Sequence, residues 1–191
     1  MLTVEETLER QVKVRRSLLY ISIFSILMLF GGLTSAYIVR QADGDWLQFD
    51  LPGMFWYSTG IILLSSLSIN LALTAAKRNE FNKIKNYLVI TLLLGIGFCI
   101  TQFLGWSTLV ESGIYFAGSM SNPAGSFMYV LTGVHLAHIV SGLIFVIAVL
   151  IRSFNNYYNS ANSAGLWRCA VYWHFLDFLW IYLFLFLMII R

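Results

Sequence analysis

Five stretches of the chain are apolar for about twenty residues each, and short polar connections separate them. They run over roughly 17 to 39, 54 to 76, 86 to 110, 127 to 151 and 169 to 190, and a helix that crosses a bilayer needs about 20 such residues. None of the five alternates apolar and polar positions as a barrel strand does. An apolar run of that length in lipid must satisfy its backbone hydrogen bonds internally, so each predicts an α-helix. The expected fold is all-α: a polytopic membrane protein with a bundle of five transmembrane helices forming a single transmembrane domain over 1–191.

Charge adds an orientation. Arg10, Lys13, Arg15 and Arg16 precede the first span, Lys77, Arg78, Lys83 and Lys85 join the second to the third, and Arg152 and Arg168 flank the connection from the fourth to the fifth. Ten of the twelve basic residues thus fall on one side, and Arg40 and Arg191 fall on the other with Asp43, Asp45, Asp50 and Glu111. The positive-inside rule then places the N-terminus inside and the C-terminus outside. Composition agrees with a bilayer as the solvent, since 59% of residues are hydrophobic and only 11% charged, more apolar surface than a water-soluble domain of this size can cover. The net charge of +3 sits in the connections, and nucleic acid is not an expected partner. The start, MLTVEETLERQVKVRRSLLY, lacks a short apolar run ending in small residues, so no signal peptide is expected.

The loop ESGIYFAGSMSNPAGS carries Gly and Pro and is expected to fold back along the membrane surface, whereas RSFNNYYNSANSAGLWR reads as a polar inside connection. Cys99 and Cys169 should differ in depth by roughly 15 to 20 Å, too far for a disulfide, and read as small packing residues. Small or polar residues recur at helical spacing in each of the first four spans. The stripes are Gly31 with Ser35 and Gly32 with Ala36; Ser66, Asn70 and Thr74; Gly95, Cys99, Gln102 and Trp106; and Gly133, Ala137 and Ser141. Such stripes let helix backbones approach closely and form interhelical hydrogen bonds in lipid.

The chemistry-bearing residues are few. Asp177 is the one carboxylate inside a span, about 13 Å from the inner end of its apolar run, and His174, one turn earlier, is its expected partner. All three histidines, His135, His138 and His174, are intramembrane. His135 and His138 stand three apart on one helix and cannot supply both axial ligands of one haem, and His138 and His174 belong to antiparallel spans at different depths. A zinc site needs three or four converging ligands. The expectation is therefore no catalytic, metal or cofactor site in this chain, with the buried ionisable residues acting through hydrogen bonds. A proton relay has one carboxylate to work with and no second acid across the membrane.

These residues also resemble a known family. Tyr172, Trp173, His174, Phe175, Asp177 and Trp180 reproduce the YWHFxDxxW signature of subunit III of haem-copper oxidases, the cytochrome c oxidase subunit 3 family. Upstream, Gly133, His135, His138 and Gly142 match that family's GxHxxHxxxG, and Ser65 and Ser66 lie in a segment similar to its LLxSS helix. The longer members have seven helices, and this chain resembles the five-helix form found in bacteria. Two departures are visible: Ser25 and Gly105 stand where the family usually carries glutamates.

The resemblance implies a non-catalytic subunit of a proton-translocating terminal oxidase in a bacterial inner membrane. Subunit I would be its main partner, with subunit II, phospholipids and a larger respiratory supercomplex as further contacts, and haem and copper would sit in subunits I and II. His135, His138, Tyr172, Trp173, His174, Asp177 and Trp180 would serve as structural, lipid or subunit contacts. Quinol oxidase and nitric oxide reductase homologues remain open as alternatives. From other classes, so do a haem-binding membrane anchor and a small transporter, although the prolines, Pro52 and Pro123, lie in loops rather than at a midplane break.

Overall fold

The computed structural model describes residues 4–160 and 162–190, with side chains from residue 10 onward. Five helices run in order: α1 (Val4–Ala42), α2 (Met54–Lys77), α3 (Phe81–Glu111), α4 (Pro123–Phe154) and α5 (Ala164–Ile189). Each is long and apolar enough to cross a membrane, and no strand occurs among the described residues.

The helices overrun the apolar runs that announce them. Helix α5 begins at Ala164 rather than near 169, because Trp167 N donates to Ser163 O at 2.9 Å and the turn continues without a break. Helix α4 begins at Pro123 rather than near 127, since Asn122 caps it by accepting from Ala124 N at 2.9 Å and Pro occupies the first turn, where its missing N–H costs nothing. Hydropathy marks the part that lipid touches, and capping marks where the helix starts.

Helices α2 to α5 pack in a closed ring, each against its chain neighbour with α2 also against α5, whereas α1, among the described residues, meets only α4 and α5. The apolar window of α5 is 50% buried and that of α1 only 17%, so α1 is a peripheral helix laid along one side of a four-helix core. On the side rich in acids the loops are tied down. Asn122 Nδ2 donates to Asp45 O at 2.8 Å and Asn122 Oδ1 accepts from Leu47 N at 3.2 Å, so the residue that caps α4 also clasps the α1–α2 connection. The α3–α4 loop folds back onto α4, with Tyr129 Oη donating to Ile114 O at 3.0 Å and Ser126 Oγ to Phe116 O at 2.6 Å.

The small-residue stripes behave differently from one another. A Cβ on Gly95 would lie 2.7 Å from Leu143 and 2.8 Å from Trp173, so this stripe does admit a close neighbour. Gly31 and Gly32 have nothing within 4 Å, and Ser35 and Ala36 are exposed. The close approach expected of the α1 stripe is not used within this chain, because α1 turns its Phe30, Thr34 and Tyr37 face inward instead. Both cysteines are free.

Candidate functional site

Helix α5 carries its motif as a set of keys, and the other helices hold the locks. Trp173 is fully buried. Its six-membered ring lies where side chains on Gly95 of α3 and Gly142 of α4 would be, since an added Cβ would meet it at 2.8 and 3.2 Å. Its indole Nε1 donates to Ser65 Oγ at 3.0 Å, and Ser65 passes the bond on to Thr91 O at 3.4 Å. One side chain thus touches three other helices. An indole N–H in an apolar core needs such an acceptor, because leaving it unpaired costs about 1 to 3 kcal/mol.

Two turns further along α5 the pattern repeats. Trp180 is buried and donates from Nε1 to Thr59 Oγ1 at 3.0 Å. Around it stand Phe55 at 5.6 Å, Phe98 at 5.0 Å and the His135 ring at 5.4 Å between centroids. His135 is fully buried and neither ring nitrogen has a hydrogen-bond partner. It functions here as a flat aromatic-sized plate among Phe30, Phe98 and Trp180. His138, three residues on, directs Nδ1 at its own helix, 2.7 Å from Val134 O. Tyr172 closes the contact between α4 and α5 through its hydroxyl, 2.8 Å from Ser141 Oγ.

His174 faces α2. Its Nδ1 is 2.7 Å from Ser66 Oγ and its Nε2 is 3.0 Å from Asn70 Oδ1. With an amide oxygen as neighbour, Nε2 carries the hydrogen, and Nδ1 accepts from the Ser66 hydroxyl. The expected His174–Asp177 partnership is therefore looser than the one His174 makes with α2. Asp177 Oδ2 lies 3.8 Å from His174 Nδ1, beyond hydrogen-bond length, and both carboxylate oxygens lack a donor although the residue is 3% exposed. Asp177 is thirteen residues after Ala164, about 20 Å at the helical rise, and so sits at the middle of α5.

The three blocks of the sequence thus meet. Ser65 and Ser66 of α2 bond Trp173 and His174 of α5, Gly142 of α4 seats Trp173, and His135 plates Trp180. The histidines do not converge, and no group of three or more His, Cys, Asp or Glu that could hold a metal ion occurs among the described residues. At the two positions lacking the glutamates, the geometry is informative. A Cβ on Gly105 would lie 2.6 Å from Phe55, so that space is filled by an aromatic ring, and Ser25 is exposed on the outer face of α1. Sequence reasoning missed Thr59, and no motif could have found it, because its role depends on Trp180 arriving from another helix. The buried, unpartnered amide of Gln102 likewise carries no sequence signal beyond its place in a stripe.

Comparison with known proteins points the same way. A sequence model described as cytochrome c oxidase subunit III matches residues 48–190. A Nocardia farcinica protein, "Probable cytochrome c oxidase subunit 3", is 32% identical over 84% of this chain and 80% of its own length. The cytochrome c oxidase subunit 3 of Corynebacterium diphtheriae is 29% identical over 83% of this chain and 80% of its own, and that of Bacillus sp. PS3 is 31% identical over 71% and 64%. The match spans α2 to α5, the ring in which the motif residues interlock, and on that ground this chain, a multi-pass membrane protein, belongs to the cytochrome c oxidase subunit III family.

Proposed function

We propose that this chain is a non-catalytic subunit of a proton-translocating haem-copper terminal oxidase, that it stabilises subunit I and contacts subunit II, and that it holds phospholipids at its surface. It sits in a bacterial cytoplasmic membrane as one transmembrane domain, N-terminus inside, and haem and copper belong to its partner subunits. One observation carries the partner role. Asn70 is exposed and the His174 side chain is 32% exposed, so the Ser66–His174–Asn70 hydrogen-bonded set opens on the surface of the ring about midway along α5. Polar groups at that depth are costly against hydrocarbon and normally face protein. A transmembrane surface of subunit I is the cover this reading supplies.

The test is affinity purification of the tagged chain from its native membrane in mild detergent, with mass spectrometry of partners and a reduced-minus-oxidised spectrum. Haem-bearing subunits are expected to come with it, and a copper-binding subunit II among them assigns cytochrome c as donor. A chain that emerges alone and colourless overturns the subunit reading. The paired substitution Asn70→Leu with His174→Leu is expected to reduce recovered haem per chain severalfold while leaving the chain in the membrane.

A further inference from the structure

The interior of the ring around His135 holds several polar side chains, and most of them are paired. Trp180 Nε1 donates to Thr59 Oγ1 at 3.0 Å between α5 and α2, and Trp106 Nε1 donates to Thr132 Oγ1 at 3.1 Å between α3 and α4. Ser58 and Thr59 also donate to Phe55 O, at 2.9 and 2.8 Å. Gln102 and His135 are the exceptions. Both are fully buried, and the amide oxygen, the amide nitrogen and the two ring nitrogens find no hydrogen-bond partner among the described residues.

The two residues lie at the same height on facing helices. Phe98 and Trp106 stand one turn to either side of Gln102 on α3. Phe98 sets its ring 5.9 Å from that of His135, and Trp106 bonds Thr132, three residues before His135 on α4. Gln102 is thus bracketed by two contacts that reach His135 and the turn beside it. Both residues belong to the buried faces of their helices, Gln102 with Phe98 and Gly105, His135 with Thr132 and Ile139. Trp180 lies against His135 at 5.4 Å with the rings tilted by 30°. That contact covers a face of the imidazole, whereas its nitrogens bond in the ring plane.

Four stranded polar atoms are costly in a dry apolar core, and native interiors pair such atoms with protein or with ordered water. A buried water makes about three hydrogen bonds to groups that otherwise lack partners. The chemistry of the two side chains is complementary to water. A neutral imidazole has one donor and one acceptor nitrogen, and the amide has two N–H donors and an accepting oxygen. Water can accept from Gln102 Nε2 and donate to the bare ring nitrogen, or accept from the ring N–H and donate to Gln102 Oε1. We propose that Gln102 and His135 form an internal water-binding site, in which water joins the amide of α3 to the imidazole of α4. The donor set selects an uncharged ligand that both gives and takes hydrogen bonds, since neither side chain supplies a counter-charge. The bridge fixes the His135 tautomer and gives that residue a polar role beside its packing against Trp180. The site lies wholly within this chain and does not rest on the subunit reading.

The first experiment is a cryo-EM map of the complex purified through this chain, at a resolution that shows ordered waters. A density peak is expected about 2.7 to 3.2 Å from both side chains. A direct bond between amide and ring overturns the water, and an unfilled layer overturns the site. This map is read on the unaltered protein, so it stands even where a variant fails to fold. The second experiment uses the full chain with nitrogen-15 histidine and a histidine-free tag, returned to bilayers, with solid-state NMR transfer from water protons to the ring nitrogens. The chain has three histidines, and His135→Phe identifies the His135 signal by its loss. Transfer to His135 is expected in the unaltered chain and should fall severalfold in Gln102→Leu, with His138 and His174 unchanged. Full transfer in Gln102→Leu overturns the bridge. Gln102→Leu alone is expected to lower the denaturant midpoint, and adding His135→Phe should recover part of the loss, because two apolar neighbours no longer need the water. Strictly additive losses overturn a shared site.

Discussion

Helices α1 and α5 are both apolar enough to cross a membrane and opposite in circumstance. Both are long and apolar, but α5 is gripped by α2 and α4 at every turn, and α1 touches only α4 and α5 along one edge. Half of the apolar window of α5 is buried against about a sixth for α1. In α5, each polar atom of the motif except the Asp177 carboxylate finds a partner on another helix. In α1, Tyr182 Oη of α5 donating to Thr34 Oγ1 at 3.1 Å is the one side-chain bond joining the described middle of the helix to the ring. Membrane helices gain little from mutual burial of apolar surface, since lipid tails are equally apolar, so shape and hydrogen bonds decide which helices adhere. The contrast therefore separates a helix specified by its neighbours within the chain from one that keeps most of its surface for others.

Substitutions can break this contrast, and the largest effect is expected at its centre. Trp173→Ala empties a space enclosed by three helices and should cost about 3 to 5 kcal/mol, read as a lowered denaturant midpoint of the purified chain in detergent. Gly95→Val forces atoms into Leu143 and Trp173 and is expected to destabilise by about 1 to 3 kcal/mol in the same measurement. A double-mutant cycle between Ser66→Ala and His174→Ala should return a coupling of about 0.6 kcal/mol, the average for intramembrane hydrogen bonds, and a coupling near zero would mean that α2 and α5 do not share this bond. The smallest effect belongs to α1: Gly31→Ala, with no atom to meet, should leave the midpoint unchanged or raise it slightly. A loss there as large as at Gly95 would erase the distinction between the two helices.

How far the sequence could foretell this follows from what each signal measures. Apolar runs located all five helices because lipid imposes length and apolarity on every span, and they fell short of where α1, α3, α4 and α5 begin, the start of α4 being set by the Asn122 side-chain cap and that of α5 by the backbone bond to Ser163 O. Small-residue spacing foresaw the tight fit at Gly95 and failed at Gly31, since the pattern says that a neighbour can come close but not whether one does. The His174–Asp177 pair looked natural from their separation along α5, yet the structure gives His174 shorter bonds to Ser66 and Asn70. Contacts along a helix can be read from spacing, whereas contacts across helices depend on rotations that no single helix encodes. The motif blocks pointed to the right residues because their side chains meet one another, Gly142 with Trp173 and His135 with Trp180.

The peripheral place of α1 also bears on how the chain is made. Among the described residues its packing partners are α4 and α5, and the first of these starts at Pro123, about eighty residues after α1 ends at Ala42. At a synthesis rate of about 5 to 20 residues per second, α1 waits on the order of 4 to 16 s in the membrane before its own chain offers it a surface, while the neighbouring hairpin of α2 and α3 closes as soon as it is inserted. Helix α1 is thus made before α2 and α3 and docks after they have paired.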